Sequence, residues 1–185
     1  MAVASPTRAT LDDLARVEGK AELIHGRIVA IMPAGFAPNQ VAGEIFAELR
    51  LHARRVGRGF AATDGLGFAV PELPSGRQSF CPDAAYHDGV PPARRMRFVE
   101  GAPTFAVEVR SEGDYGPAAE RAMAAKRADY FEAGTLVVWD VDSEAQVIHA
   151  FRGSEANRIT FQRGQTADAE PAVPGWHVAV DAIFG

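Results

Sequence analysis

Two short runs of almost uninterrupted apolar residues constrain this chain most. They are Thr104-Phe105-Ala106-Val107-Glu108-Val109-Arg110 and Leu136-Val137-Val138-Trp139-Asp140-Val141. Runs of this kind, rich in β-branched and aromatic residues and lacking strict alternation, fit strands buried on both faces. The Ala-rich stretch from Ala118 to Ala133 that separates them reads as a long helix. Strands covered on both sides require packed layers above and below. The expected class is therefore α/β or α+β, built on a mixed central sheet flanked by helices.

The rest of the chain supplies the layers. Residues 1–10 read as a loose arm. Thr10 can cap a short helix, with Asp13 at the third position in a capping-box-like arrangement. Ala21-Glu22-Leu23-Ile24 and Arg27 to Ile31 read as a β-hairpin turning at His25-Gly26. Pro33 to Pro38 reads as a loop. Val41, Ile45, Leu49 and Leu51 recur at near-helical spacing, which predicts a first long helix over Asn39 to Val56, stopped by Gly57 and Gly59. Phe60 to Val70 reads as a strand bent at Gly65 or Gly67, and Phe80 to Tyr86 as a short strand. Gln146 to Phe151, Arg158 to Phe161 and His177 to Val180 are shorter strands. No repeat or linker interrupts this pattern, so one domain is expected over residues 1–185.

Composition narrows the function. At 185 residues, with 47% hydrophobic and 23% charged residues, the chain has the balance of an ordinary globular domain. No run approaches the roughly 18 apolar residues of a membrane span, and the first ten residues lack the apolar core of a signal peptide. A cytoplasmic location is the expectation. The lone Cys81 excludes an internal disulfide and a Cys-cluster zinc site. The five histidines show no metalloprotease spacing. The net charge of −5 speaks against a constitutive nucleic-acid binder, but 9 of the 24 acidic residues and only 3 of the 19 basic ones fall after residue 127. The basic residues are 17 Arg and just two Lys, Lys20 and Lys126. In such a background, a lysine in an odd position is informative.

Three charges sit where apolar residues belong. Glu108 interrupts a central strand and shares a face with Ala106 and Arg110. A carboxylate there must be paired, hydrogen-bonded or metal-bound, and an ion pair with Arg110 is one solution. Asp83 follows Pro82 in a short apolar strand, where it could also serve a local turn. Lys126 shares a helix face with Ala119, Ala122, Met123, Tyr130 and Ala133, whereas Glu120, Arg121, Arg127 and Glu132 fall elsewhere. A buried ammonium needs carboxylates nearby, although a lysine at the rim of such a face can snorkel. Together the three fit one chemistry. Two carboxylates from neighbouring strands can hold a hard divalent cation such as Mg²⁺, which polarises a phosphodiester and acidifies bound water. A lysine beside them can orient that water or offset developing charge.

The order Pro82-Asp83, Glu108, then a lysine resembles the PD-(D/E)XK nuclease superfamily. A wider set of residues resembles the Uma-two family, described as restriction endonucleases. Ala21 to Gly26 is similar to its ELIDG-type opening, and Val107 to Ser111 to its VEVxS strand. Lys126, Tyr130, Gly134, Trp139 and Asp140 resemble its helix-to-strand segment. Pro174-Gly175-Trp176 with Ile183-Phe184 is similar to its closing segment. The chain departs from the family pattern at His25, where Asp is frequent, at Ser111-Glu112-Gly113-Asp114, and around Pro38, where a His is common.

The resemblance implies a restriction-endonuclease-like fold and a Mg²⁺- or Mn²⁺-dependent endonuclease acting on DNA, with Asp83 and Glu108 as metal ligands. The superfamily lysine lies two residues after the Glu, a place held here by Arg110. The family pattern implies that Lys126, on the following helix, takes over. Arg110 is then expected to clamp a phosphate or pair with Glu108. Glu22 matches the family's N-terminal Glu and is implied as a further metal or water ligand; Glu44 is a weaker candidate. Arg50, Arg54, Arg55 and Arg58, or Arg94, Arg95 and Arg97, could contact a DNA backbone, though a solvated face explains them as well. Restriction-type nucleases often act as dimers, so a homodimer is implied. The rival readings are a non-catalytic binding or regulatory module on the same fold, and a two-carboxylate glycosidase, which leaves the buried lysine unexplained.

Overall fold

The computed structural model describes residues 8–185. The chain begins with α1 (Leu11–Leu14), the hairpin strands β1 (Ala21–Ile24) and β2 (Arg27–Ala30), and the long helix α2 (Phe36–Val56). There follow β3 (Phe60–Thr63), β4 (Phe68–Ala69), β5 (Ser79–Phe80), β6 (Ala84–His87), β7 (Val99–Glu100) and β8 (Phe105–Val109). Helix α3 (Pro117–Glu132) then crosses to β9 (Val137–Asp142). The chain closes with β10 (Val147–Arg152), β11 (Arg158–Phe161), β12 (Thr166–Asp168), β13 (His177–Ala179) and α4 (Val180–Phe184).

The two apolar runs form the centre of a six-stranded mixed sheet of order β11-β10-β9-β8-β6-β3. β8 and β9 are its parallel pair, joined by α3; the other neighbours are antiparallel. Alternation along β8 sends Phe105, Val107 and Val109 to one face, against Ile45 and Leu49 of α2. Trp139, Trp176 and Ile183 join them, with the two indole rings 5.2 Å apart. Ala106 and Val138 face the other way, toward Tyr130 of α3 and Phe80. The closing segment that resembles the family thus packs into the core under β9.

The hairpin turns at His25-Gly26 as expected. Both residues have positive φ, 52° and 66°, as a type I′ turn requires. The capping box of Thr10 and Asp13 is also formed. Most of the expected arm, residues 1–7, lies outside the described residues, but Ala9 donates its N–H to the Gly26 carbonyl at 2.8 Å.

Three boundaries differ from expectation. α2 starts at Phe36 rather than Asn39, so Pro38 falls in its first turn, where the missing N–H has no intrahelical partner to lose. Phe60 to Val70 is not one bent strand: the turn at Asp64-Gly65 sends β3 to the main sheet and β4 to a small three-stranded one. Phe80 to Tyr86 divides likewise into β5 and β6, because Pro82 cannot donate to a ladder. Asp83 lies in that break, immediately before β6.

Candidate active site

The sheet register builds the site. Ala84 pairs with Val107, so the same register carried back one residue sets Asp83 opposite Glu108, and Glu108 in turn pairs with Asp140 on β9. Residues opposite one another share a face. Asp83, Glu108 and Asp140 therefore form a row of carboxylates across three adjacent strands, on the α3 side of the sheet. Each is matched by its own cation.

Lys126 and Tyr130, four residues apart on α3, project from one face of the helix. Lys126 Nζ donates to Glu108 Oε2 at 2.8 Å, and the Tyr130 hydroxyl donates to Glu108 Oε1 at 2.7 Å. Tyr130 is fixed by stacking on Phe80, with centroids 4.1 Å apart. Lys126 Nζ also lies 3.2 Å from Glu22 Oε1. Glu22 belongs to β1, is buried, accepts the Cys81 N–H at 3.0 Å through that same oxygen, and binds Arg77 through the other. Arg77 reaches on to Asp129 at 2.8 Å. Asp83 accepts the Val109 N–H through Oδ2 at 2.8 Å and Lys20 Nζ through Oδ1 at 2.7 Å. Lys20 Nζ lies also 2.6 Å from Asp64 Oδ1, in the turn after β3.

The electrostatics follow from burial competing with these partners. Burial pushes the Glu108 carboxyl above its ordinary range; Lys126 opposes this, while Asp83 and Glu22 reinforce it. Burial acts in the same direction on Glu22, but Lys126 and Arg77 overcome it and hold that carboxyl below its usual range. Burial would lower the Lys126 ammonium, yet Glu108 and Glu22 outweigh it and keep Lys126 firmly protonated. Lys20 is held protonated in the same way by Asp83 and Asp64.

The third carboxylate is structural. Asp140, 1% exposed, accepts Arg110 Nε at 2.7 Å, Arg110 Nη2 at 2.8 Å and Arg127 Nη1 at 2.7 Å. Arg110 also binds Glu120, and Arg127 binds Glu155 while its guanidinium stacks 4.2 Å over Phe151. Arg110 is thus paired away from Glu108, contrary to the sequence expectation, because the neighbouring strand offers it a buried Asp. Arg127, placed by helical periodicity on the polar side, is buried by the same carboxylate.

Asp83, Glu108, Lys126 and Glu22 all line one cleft of about 1030 Å³, along whose walls carboxylates outnumber basic groups. Glu44 is exposed on α2 and lies outside this cleft. The two arginine clusters also lie outside it, with Arg58 paired to Asp88 and Arg97 to Asp12. Sequence reasoning missed Lys20 and Asp64. The scarcity of lysine that singled out Lys126 applies equally to Lys20, whereas nothing local marks Asp64.

Fold and site define a protein of the restriction-endonuclease-like class, with a mixed sheet whose parallel pair is bridged by the helix that carries the lysine. The chain belongs to the Uma2 family, described as "putative restriction endonuclease", whose profile matches residues 9–181. It is similar to a solved structure from Anabaena variabilis, titled a "putative nuclease belonging to DUF820". That similarity has a TM-score of 0.72 at 17% identity, over 95% of this chain and 97% of the other. No curated protein matches the sequence. Among the described residues, no helix is long and apolar enough to cross a membrane.

Proposed function

We propose that this protein is a Mg²⁺- or Mn²⁺-dependent endonuclease that hydrolyses DNA phosphodiester bonds, with a homodimer supplying one site per strand. The observation that carries the reading is the convergence of Asp83, from the break before β6, Glu108 of β8 and Lys126 of α3 on one cleft. The donor set fits a hard cation, being carboxylate oxygen throughout. The described residues gather no group of three or more His, Cys, Asp or Glu that could hold a metal ion; on this reading Asp83 and Glu108 are the protein ligands. Mg²⁺ suits such a site, since it keeps several waters and completes its shell with substrate phosphate.

Asp83 and Glu108 would hold the ion, which when bound polarises the phosphodiester and acidifies water. Lys126 remains protonated, so its Nζ acts as a donor and a charge rather than as a base. It orients the attacking water and offsets charge on the scissile phosphate. Glu22 positions Lys126 from the far side, and Tyr130 holds the orientation of Glu108.

The test is cleavage of plasmid and single-stranded DNA with Mn²⁺ by wild type and Glu108→Gln. The variant is expected to lose activity by at least about 100-fold. Equal activity in both proteins would mark a contaminant and end the assignment. Absence of cleavage, together with no Mn²⁺-induced rise in melting temperature, would favour a non-catalytic module, since every carboxylate of the row already has a basic partner.

A further inference from the structure

Lys20 has no part in the mechanism above. It immediately precedes β1 at the open end of the hairpin, where its backbone carbonyl accepts the Ile31 N–H at 2.8 Å. That bond fixes the backbone and leaves the four-carbon side chain to reach into the cleft. Its ammonium bridges two carboxylates of unequal depth, Asp83 with its side chain 20% exposed and Asp64 with its side chain 43% exposed. Both lysines of the chain line this cleft, each on one of the two carboxylates assigned to the metal. The arginines beside the cleft are held by more than one contact: Arg77 spans Glu22 and Asp129, and Arg110 and Arg127 both close on Asp140. A guanidinium fork locks onto a carboxylate, whereas an ammonium is a point charge on a flexible stem that can exchange partners.

A divalent cation on Asp83 would compete electrostatically with the Lys20 ammonium, which sits 2.7 Å from Oδ1. Asp64 offers the ammonium a second carboxylate, nearer the solvent-exposed mouth of the same cleft. Resting on the nuclease reading, we propose that Lys20 is a second catalytic lysine. A cation at Asp83 displaces it toward Asp64, and it there contacts a phosphate oxygen of the substrate.

The test uses full-length wild type, Lys20→Met and Lys20→Arg, with circular dichroism to establish that each variant folds. Three measurements are made: calorimetric titration with Mn²⁺ alone, binding of a labelled single-stranded oligonucleotide in Ca²⁺ across a salt series, and cleavage in Mn²⁺. Lys20→Met is expected to bind Mn²⁺ more tightly than wild type, because a competing cation has left Asp83. It is expected to bind the oligonucleotide with a salt-dependence slope smaller by about 0.7, and to cut about 100-fold more slowly. Lys20→Arg should keep the wild-type salt slope. An ammonium that served only as a counter-charge to Asp83 would, on removal, raise the Mn²⁺ affinity but leave the salt slope and the cleavage rate of the Mn²⁺-saturated protein unchanged, so slope and rate decide between the two roles. The proposal is overturned if Lys20→Met binds Mn²⁺ no more tightly, or keeps the wild-type slope. A wild type that binds Mn²⁺ and oligonucleotide without cutting overturns the nuclease reading alone, and the two binding arms then decide the role of Lys20.

Discussion

Asp140→Asn is the most informative change outside the lysine-bearing half of the cleft. The carboxylate accepts three hydrogen bonds from two guanidiniums, on Arg110 and Arg127, which are 7% and 6% exposed. Asn keeps the volume but removes the charge and turns an amide donor toward guanidinium donors. Breaking a buried pair from one side costs about 3–5 kcal/mol. Here each arginine retains a second, half-exposed partner, Glu120 or Glu155, which puts the expected loss near the lower bound, about 3 kcal/mol. For a chain of this length that is a fall of about 6–12 °C in melting temperature. Thermal and urea unfolding followed by circular dichroism measure it, and Mn²⁺ affinity should stay close to that of wild type. The triple change Asp140→Leu/Arg110→Met/Arg127→Met should recover most of the lost stability, since a buried ion network and a packed apolar one of similar volume are often equivalent. A single Asn variant melting within about 2 °C of wild type would refute the view that Asp140 holds this side of the sheet together.

Two further outcomes are expected. Tyr130→Phe removes the hydroxyl bonded to Glu108 while preserving the stack on Phe80; stability should fall by about 1.5–3 kcal/mol, the range for a hydrogen bond to a charged group, and DNA turnover should fall with it, as read by urea unfolding and the cleavage assay. His52 is buried in α2 beside Arg55, and burial, then that guanidinium, hold its pKa below the ordinary 6.5. The folded state therefore binds fewer protons than the unfolded chain. The contribution of His52 is complete above pH 6.5 and is lost as pH falls from there through the folded value. Urea midpoints at about pH 7.5 and pH 5 should diverge in wild type and converge in His52→Gln; an unchanged divergence would assign the effect to other groups, such as His149.

The sheet centre was legible because Phe105 to Val109 and Val137 to Val141 must be covered on both faces wherever they fold. Glu108 and Lys126 were legible for the converse reason: a charge within an apolar surface demands a partner. Pairing choices were not. Alternation put Arg110 on the face of Glu108, but the strand register set Asp140 beside both, and the carboxylate that already held Lys126 lost the arginine to its neighbour. Arg127 looked like a surface residue because helical periodicity counts arginine as polar. Asp140, Glu155 and the Phe151 ring together give it a buried place. Lys20 and Asp64 sit at a strand start and in a turn, where no hydrophobic period exists to be violated. Their meeting depends on how two small sheets dock on the large one, which is a tertiary event.

The parallel crossover from β8 through α3 to β9 has a consequence for how the cleft comes together. It carries Glu108, Lys126, Tyr130 and Asp140 in one continuous stretch, so the Lys126–Glu108 contact closes a loop of only 18 residues. The Lys20–Asp83 contact closes one of 63. The longer closure costs about 1 kcal/mol more in chain entropy. The cleft thus has a local half, assembled by a single supersecondary unit, and a remote half that depends on the amino-terminal hairpin. Detachment of that hairpin would remove Lys20 and Glu22 from the cleft while leaving the crossover and its helix–strand contacts in place.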